Sequence, residues 1–520
     1  MREERNPGPQ HARPRPPAEE TVAAELAGVR PALAASYEAA LGGARAAVLT
    51  RLWRALAFEP LPWVERRESG PDSLVVFTTG GRRLEGPLPD PYATGDRVTE
   101  LRLDGRAHRQ AARLMAALDV PHGAAFAAEL DDSTASLALS RAGQPREDLD
   151  DAPKAGWQWE QRVVDGHPYH PNCRSRPGFS VAEQLAYAPE HRPLVELGTV
   201  AVPAGECLLT GAWPDRLRDG DRLLIPVHPW QAEHVLKAGA GRGPSGPGFT
   251  AHPLMALRTL APAEGGPHVK TALSTRLTSS VRDISGRSVE TAAVLSDFAQ
   301  VLCERLDGRL HVTRTLGAVT AHSPDLAAVL REPPDTCAGP GERVLPVAAL
   351  AGTAAVRSAA WRGEFARLVL SVCLEVLDLG VALEAHGQNL LVVLSPDGNP
   401  VRLVYRDLGD IRISPARLAA HGLPVPAVSG RQITDDVTAL RRKVFGSAVA
   451  GALAATLGSA RALGEALAQP VSPVPTADSE ALAREPIPVK ALTLMRLSPG
   501  VPGDQWAELP HPAAGPRDRG

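Results

Sequence analysis

The stretch Gly380–Asp410 reads "GVALEAHGQNLLVVLSPDGNPVRLVYRDLGD", and its reading decides the fold of the C-terminal part of the chain. Two apolar runs, Asn389–Leu394 and Val401–Tyr405, flank a Pro-Asp-Gly-Asn-Pro turn, the pattern of a β-hairpin. Polar residues crowd its ends: Glu384, His386, Gln388 and Asn389 before the first strand, and Arg406, Asp407 and Asp410 after the second. A buried polar group left unpaired costs about 1–3 kcal/mol. Seven such groups at one end of a hairpin therefore suggest a site.

Outward from the hairpin, Val347–Leu379 reads as helix, with Phe365, Leu368, Val372 and Leu379 on one face. Helices are expected from the hairpin to the end. Thr21–Ala57 and Ala107–Leu118 also read as helices, and "DSLVVFTT" and "RVTELRL" as strands. Between Asp132 and Pro346 short strands alternate with Pro/Gly-rich loops, and "REPPDTCAGPGE" reads as a linker. The class expected is α+β. Its parts are a disordered tail (1–20), a mostly helical N-terminal region (21–130), a mixed region (131–345) and a helical region carrying the hairpin (346–510).

The 520 residues fit two to four domains, and 56 basic against 59 acidic side chains leave no global field for nucleic acid or a membrane surface. Five scattered cysteines without a CxxC read as reduced thiols in a cytoplasmic protein. The N-terminus, with five prolines in its first 20 residues, has no signal-peptide core. The uncharged run Val444–Ala460 reads as a buried helix rather than a membrane span.

Four constellations bear chemistry. The hairpin brings the Asn389 amide and the Asp407 carboxylate together, a plausible Mg²⁺ cradle with Glu384 as a third oxygen donor; His386 and Gln388 could instead satisfy loop backbone. "KTALSTRLTSSVRDISGR" (Lys270–Arg287) interleaves four basic residues with seven hydroxyls against one acid. Arginine forks and hydroxyls suit phosphate oxygens, although a polar edge strand would read the same way. "DGHPYHPNCRSRPGFS" presents His170, Arg174 and Arg176 on a proline-stiffened loop, fitting a charged small acid better than zinc, or forming a structural loop. "IPVHPWQ" (Ile225–Gln231) reads equally as site or as strand-end packing.

In this order, and together with "YAPEH", "LREPP", "ALEAHGQNLL", "YRDLGD" and the closing "VKALTLMRLS", these segments resemble the NRPS-independent siderophore synthetases of the IucA/IucC type over Trp157–Ser498. The resemblance implies a cupped hand of thumb, fingers and palm, usually homodimeric, with a kinase-like metal-binding hairpin in the palm. It implies that ATP adenylates a carboxylic acid (citrate, citrate-derived or succinyl-type), giving AMP and pyrophosphate. The acyl group then passes to an amine, hydroxylamine or alcohol. Lys270, Thr278, Ser279, Ser280 and Arg282 would hold ATP, together with His386, Gln388, Asn389 and Asp407. Glu384, Asn389 and Asp407 would serve Mg²⁺. His167, His170, Arg174 and Arg176 would meet the acid, and His170, Arg282 and His386 would take part in catalysis, with His170 or His386 accepting the amine proton. Two departures from the family pattern are Arg174, where lysine is expected, and Asp410, an added negative charge.

The hairpin followed by "RDLGD" also resembles the metal loop of kinase-like phosphotransferases. Gln388, however, cannot act as the base that such enzymes need, whereas a carboxylate nucleophile is already ionised. A siderophore- or iron-binding protein is the third reading, without the cysteine cluster that iron–sulfur chemistry requires.

Overall fold

The computed structural model describes residues 17–145, 153, 155–238, 243–277, 280–469 and 475–513. Most of the expected tail lies outside them, but Ala18–Glu20 already belong to the first helix, Ala18–Val29. Glu19 is buried there and accepts a hydrogen bond from Arg45 Nε (3.0 Å). Pro31, which has no N–H to donate, divides the helix expected over 21–57 into Ala18–Val29 and Ala34–Phe58. A further difference follows at Ala107. Asp104 and Gly105 both adopt positive φ, the geometry of a tight hairpin, so Arg106–His108 pairs with Leu101–Leu103 and the helix starts only at Ala111.

Four sheets organise the chain. Val64–His108 forms a five-stranded antiparallel meander. A nine-stranded antiparallel sheet fills the middle of the chain, and at its centre His268–Thr271 lies between Thr259–Pro262 and Ala327–Arg331. The hydroxyl-rich segment forms a separate hairpin, Leu273–Leu277 with Ser280–Arg282.

The hairpin read from the sequence is present as Leu390–Leu394 and Pro400–Tyr405, with Leu390 opposite Tyr405. It is the centre of a four-stranded sheet, flanked by Arg343–Pro346 and by Leu310–Val312, which runs parallel to it. Leu390, Val392 and Leu394 face the largest core while Leu391 and Val393 face a smaller one, so both faces are covered. That two-sided burial is why the run is uninterrupted by polar residues.

Helix Ala359–Asp378 packs on this sheet through Phe365, Val369, Val372 and Val376, and Ser358 caps its N-terminus. Val437–Leu457 is continuous helical structure, wide-turned over Phe445–Ala454 and largely buried. Among the described residues no helix is long and apolar enough to cross a membrane. The C-terminal region is not wholly helical: Ile487–Lys490 and Trp506–Leu509 pair as strands.

Helix Gly123–Ala142, absent from the sequence reading, runs through residue 130. One hydrophobic core joins N-terminal residues such as Leu26 and Trp53 to C-terminal ones such as Leu494 and Leu509. The Glu59 carboxylate seals this junction by accepting the N–H groups of Thr493 (3.2 Å) and Leu494 (2.7 Å).

Candidate active site

The end of the four-stranded sheet faces the centre of the nine-stranded one across a cavity of about 1030 Å³ including its open mouth. Asp407 leaves the second hairpin strand at φ 77°, a left-handed conformation that costs a non-glycine residue energy. Its carboxylate meets Lys270 Nζ at 2.7 Å and Arg331 Nη2 at 3.1 Å. These two cations hold Asp407 well below the usual carboxylate range, although burial opposes them. Burial and the neighbouring Arg331 push Lys270 down to about 7.

Arg406 is fully satisfied within the protein. Its guanidinium forks onto Glu160 (2.7 and 3.0 Å) and also donates to the Gln388 carbonyl (2.9 Å). Glu160, 3% exposed, accepts the Met255 N–H at 3.0 Å as well, tying the hairpin wall to the opposite sheet.

Arg258 and Arg282 differ. Arg258 donates to the carbonyls of Arg282 and Asp283 but meets no carboxylate within ion-pair distance. Among the described residues the Arg282 guanidinium makes neither hydrogen bond nor ion pair, although it lines the cavity. Burial, then the adjacent Arg282, lowers Arg258 to about 10; burial lowers Arg282 as well. Among the described residues, then, neither of these two desolvated guanidinium groups has a carboxylate within ion-pair distance, although Asp407 acts on both from farther away.

The sequence-predicted residues divide accordingly. Lys270, Arg282, Gln388, Asn389 and Asp407 line the cavity. Thr278 and Ser279 lie outside the described residues, as does the Ser280 side chain. Arg174 and Arg176 also line the cavity but are internally compensated. Arg176 Nη2 sits 2.6 Å and Arg174 Nη1 3.5 Å from fully buried Glu190, and Arg174 also holds the Val163 and Val164 carbonyls. Their expected freedom to receive an acid is corrected by that carboxylate.

His167 and His170 contact each other, their ring centroids 3.9 Å apart. Burial lowers both well below the ordinary histidine range; His386 and Lys490 act on both in the same direction, and His167 also acts on His170, which marks one neighbourhood. His386 is lowered too, first by burial, and its Nδ1 accepts the Gln388 N–H at 3.2 Å. The expected metal donors do not present free carboxylates. Glu384 Oε1 is held by Lys443 (3.2 Å) and Lys490 (2.9 Å), and Lys443 is also 2.6 Å from Asp410. Asn389 Nδ2 donates to the Glu384 carbonyl at 3.3 Å. Among the described residues no group of three His, Cys, Asp or Glu could hold a metal ion.

Sequence reasoning missed Arg258, His268, Arg331, Glu160, Lys443 and Lys490. Arg331 lies within "LREPP" and Lys490 within "VKALTLMRLS", segments that carry the resemblance, so a signal existed for these two. Arg258, in "LMALRTL", offers none. "HPWQ" proves structural: the Gln231 amide binds Ser274 N (2.7 Å), Ser274 Oγ (3.0 Å) and the Asp325 carbonyl (2.9 Å), anchoring the hydroxyl-rich hairpin.

Comparison with known proteins gives two family matches: the IucA / IucC family over residues 156–352, and the ferric iron reductase FhuF-like transporter family over residues 359–499. The second segment holds a single cysteine, Cys373, buried in helix Ala359–Asp378. The aerobactin synthase of Escherichia coli is 26% identical over 49% of this chain and 55% of its own length. The citryl-spermidine/3,4-dihydroxybenzoyl-citryl-spermidine:spermidine ligase of Bacillus anthracis is 25% identical over 48% and 50%. The chain spans about half the length of the curated relatives it matches. Among solved structures, the petrobactin biosynthesis protein AsbB of Bacillus anthracis superposes with TM-score 0.71 at 18% identity, covering 92% of this chain and 98% of that one. ATP-bound aerobactin synthetase IucA of Klebsiella pneumoniae gives 0.68 at 21%, covering 91% and 99%. These likenesses match the mixed helix-and-sheet fold.

Proposed function

Because this chain belongs to the IucA/IucC family, we propose that it is an ATP-dependent siderophore synthetase, adenylating a polycarboxylic acid and passing the acyl group to an amine, hydroxylamine or alcohol. One observation carries the reading. Arg258 and Arg282 line a desolvated cavity without acidic partners, and Lys270 and Arg331 share one carboxylate. Holding that positive charge apart from water is costly unless an anion is to be received. Relatives named as synthases and ligases of citrate-derived amides, and an ATP-bound structural neighbour, point the same way.

In the first step one substrate carboxylate attacks the α-phosphorus, the bond to the β-phosphate oxygen breaks, and pyrophosphate leaves. Arg282 and Arg258, with Lys270, stabilise the negative charge gathering on the leaving group. Arg331 keeps Asp407 ionised, which confines the cationic surface to one wall. In the second step the amine attacks the acyl carbonyl, AMP departs, and the amine proton passes to a neutral imidazole. His170 and His386 are both available in neutral form, and a polyanionic substrate beside them would raise their proton affinity.

Glu384, Asn389 and Asp407 do not fit a resident magnesium ion as they stand, because cations occupy both carboxylates. Magnesium therefore enters as the counter-ion of ATP, supplying charge neutralisation when bound, and no step above passes through it. The thumb, fingers and palm, the boundaries near 130 and 345, the homodimer and the cytoplasmic setting belong to the same proposal.

Incubation with ATP and a panel of citrate, citrate-derived and succinyl acids should release pyrophosphate and AMP. ADP and orthophosphate as the products would overturn adenylation in favour of phosphoryl transfer.

A further inference from the structure

The three histidines of one neighbourhood, His167, His170 and His386, do not offer equivalent nitrogens. His386 Nδ1 accepts the Gln388 N–H at 3.2 Å. A ring nitrogen that accepts carries no proton, so the single proton of this neutral imidazole sits on Nε2. Protonating Nδ1 instead would set two N–H groups against each other at that distance. The loop holds the ring in this pose. Asn389 N and Leu390 N donate to the His386 carbonyl, Ala385 N donates to Ser447 Oγ at 2.9 Å, and Gly387 N donates to the Gly451 carbonyl. A Cβ at position 451 would come within 3.0 Å of His386 Cβ, so the glycine there lets helix and loop pack this closely.

His167 is fixed in the same way, its Nδ1 accepting the Tyr169 N–H at 3.2 Å. His170, whose ring lies against that of His167, has neither nitrogen engaged among the described residues. His228 shows what marks a scaffold histidine: its Nδ1 accepts the Trp230 N–H at 3.2 Å, but its Nε2 is sealed in the interior. Among the described residues the His386 Nε2 is neither bonded nor sealed, and the charges of Glu384, Lys490 and Asp407 reach its ring. The neighbourhood thus holds two fixed Nε2–H donors and one imidazole whose lone pair the protein leaves unused. Acyl transfer needs both kinds. As the amine nitrogen bonds to the acyl carbon, an electron pair moves onto the carbonyl oxygen. When the pair returns, the carbon–oxygen bond to AMP breaks and AMP leaves with its electrons. A fixed N–H stabilises the oxygen that gathers charge, and a free lone pair takes the proton that the amine nitrogen gives up.

We propose that His386 donates its Nε2–H to the acyl oxygen that gathers negative charge during transfer, and that His170 takes the amine proton. The inference rests on the synthetase reading above and divides a role which that reading leaves to either residue. Glutamine at 386 restores an N–H at the Nε2 position but has no basic nitrogen. Asparagine keeps an acceptor for the Gln388 N–H, and so the loop, but lacks the distal N–H. Hydroxamate formation by the full chain is measured with ATP, hydroxylamine and the acid of the panel above that native protein uses. His386→Ala and His386→Asn should each lose at least about 100-fold in kcat, the scale of one missing oxyanion donor, and His386→Gln less than about tenfold. His170→Gln should lose at least about 100-fold. A second readout needs no turnover: in native protein labelled with nitrogen-15 at histidine, His386 should show the Nε2–H tautomer. Its signals are identified by their absence from any one of the three His386 variants that keeps the native thermal midpoint. His386→Gln as slow as His386→Ala at matching midpoints, His170→Gln within tenfold of native, or an Nδ1–H tautomer at His386 would overturn the division and leave the synthetase reading standing. Native protein that turns over no acid of the panel would overturn both.

Discussion

Two segments present arginines to the same cavity and look alike in sequence: "HPNCRSR", with Arg174 and Arg176, and "LTSSVR", with Arg282. The first lies against helix Gly123–Ala142, where Asp132, Ser133 and Ser140 bind its backbone, its serine or its acid partner. Both of its arginines close on Glu190, which they hold far below the carboxylate range. The second is a hairpin fixed by Gln231 and Arg258, and its arginine faces the cavity without an acid. The difference teaches that an arginine near a pocket is an anion site only where no carboxylate has claimed it. The first pair supports structure; the second is poised for a ligand.

The comparison breaks most sharply at Glu190. Glu190→Gln keeps the shape but leaves two buried guanidinium groups uncompensated, so chemical denaturation should show a loss of about 3–5 kcal/mol. A loss below about 1 kcal/mol would mean that Arg174 and Arg176 are free after all.

Asp407→Ala comes next, with turnover expected to fall at least about 100-fold. The ion pairs with Lys270 and Arg331 add a stability loss of about 1–3 kcal/mol, checked by denaturation. Near-native turnover would remove Asp407 from the site.

Arg282→Lys keeps the charge and removes the fork. If the hairpin arginine clamps the leaving pyrophosphate, kcat should drop at least about tenfold, and by no less than KM for ATP rises, at an unchanged thermal midpoint. Native kinetics would return this hairpin to a structural role.

The smallest expected effect is a pH dependence. Lys270, normally at 10.5, titrates near about 7 in the folded protein, so nucleotide binding should weaken as pH rises through that value, by about tenfold between pH 6 and 8. A Lys270→Met reference cancels the nucleotide's own titration; identical slopes in both proteins would reject the assignment. Stability moves the other way. The unfolded chain binds more protons between about 7 and 10.5, so the folded state gains as pH climbs through that window.

The sequence by itself determined the hairpin, its turn and where its strands begin and end to within a residue, because fully buried strands leave an unbroken apolar run and the Pro-Asp-Gly-Asn-Pro turn admits little else. It also determined which segments carry the cavity, since Lys270, Arg282, Gln388, Asn389 and Asp407 all line it. Helix Gly123–Ala142 stayed hidden because its buried side includes Ser133, Thr134, Ser136 and Ser140, so no apolar period marks it. Only the tertiary structure decided which charges are spent. Arg406 meets Glu160 across 246 residues, Lys270 meets Asp407 across 137, and Lys490 meets Glu384 across 106. Pairing over such distances depends on how strands and helices stack, and leaves no local spacing in the sequence. The residue types were legible along the chain; the Coulomb partners that turn some into scaffold and leave others for a ligand exist only in the fold.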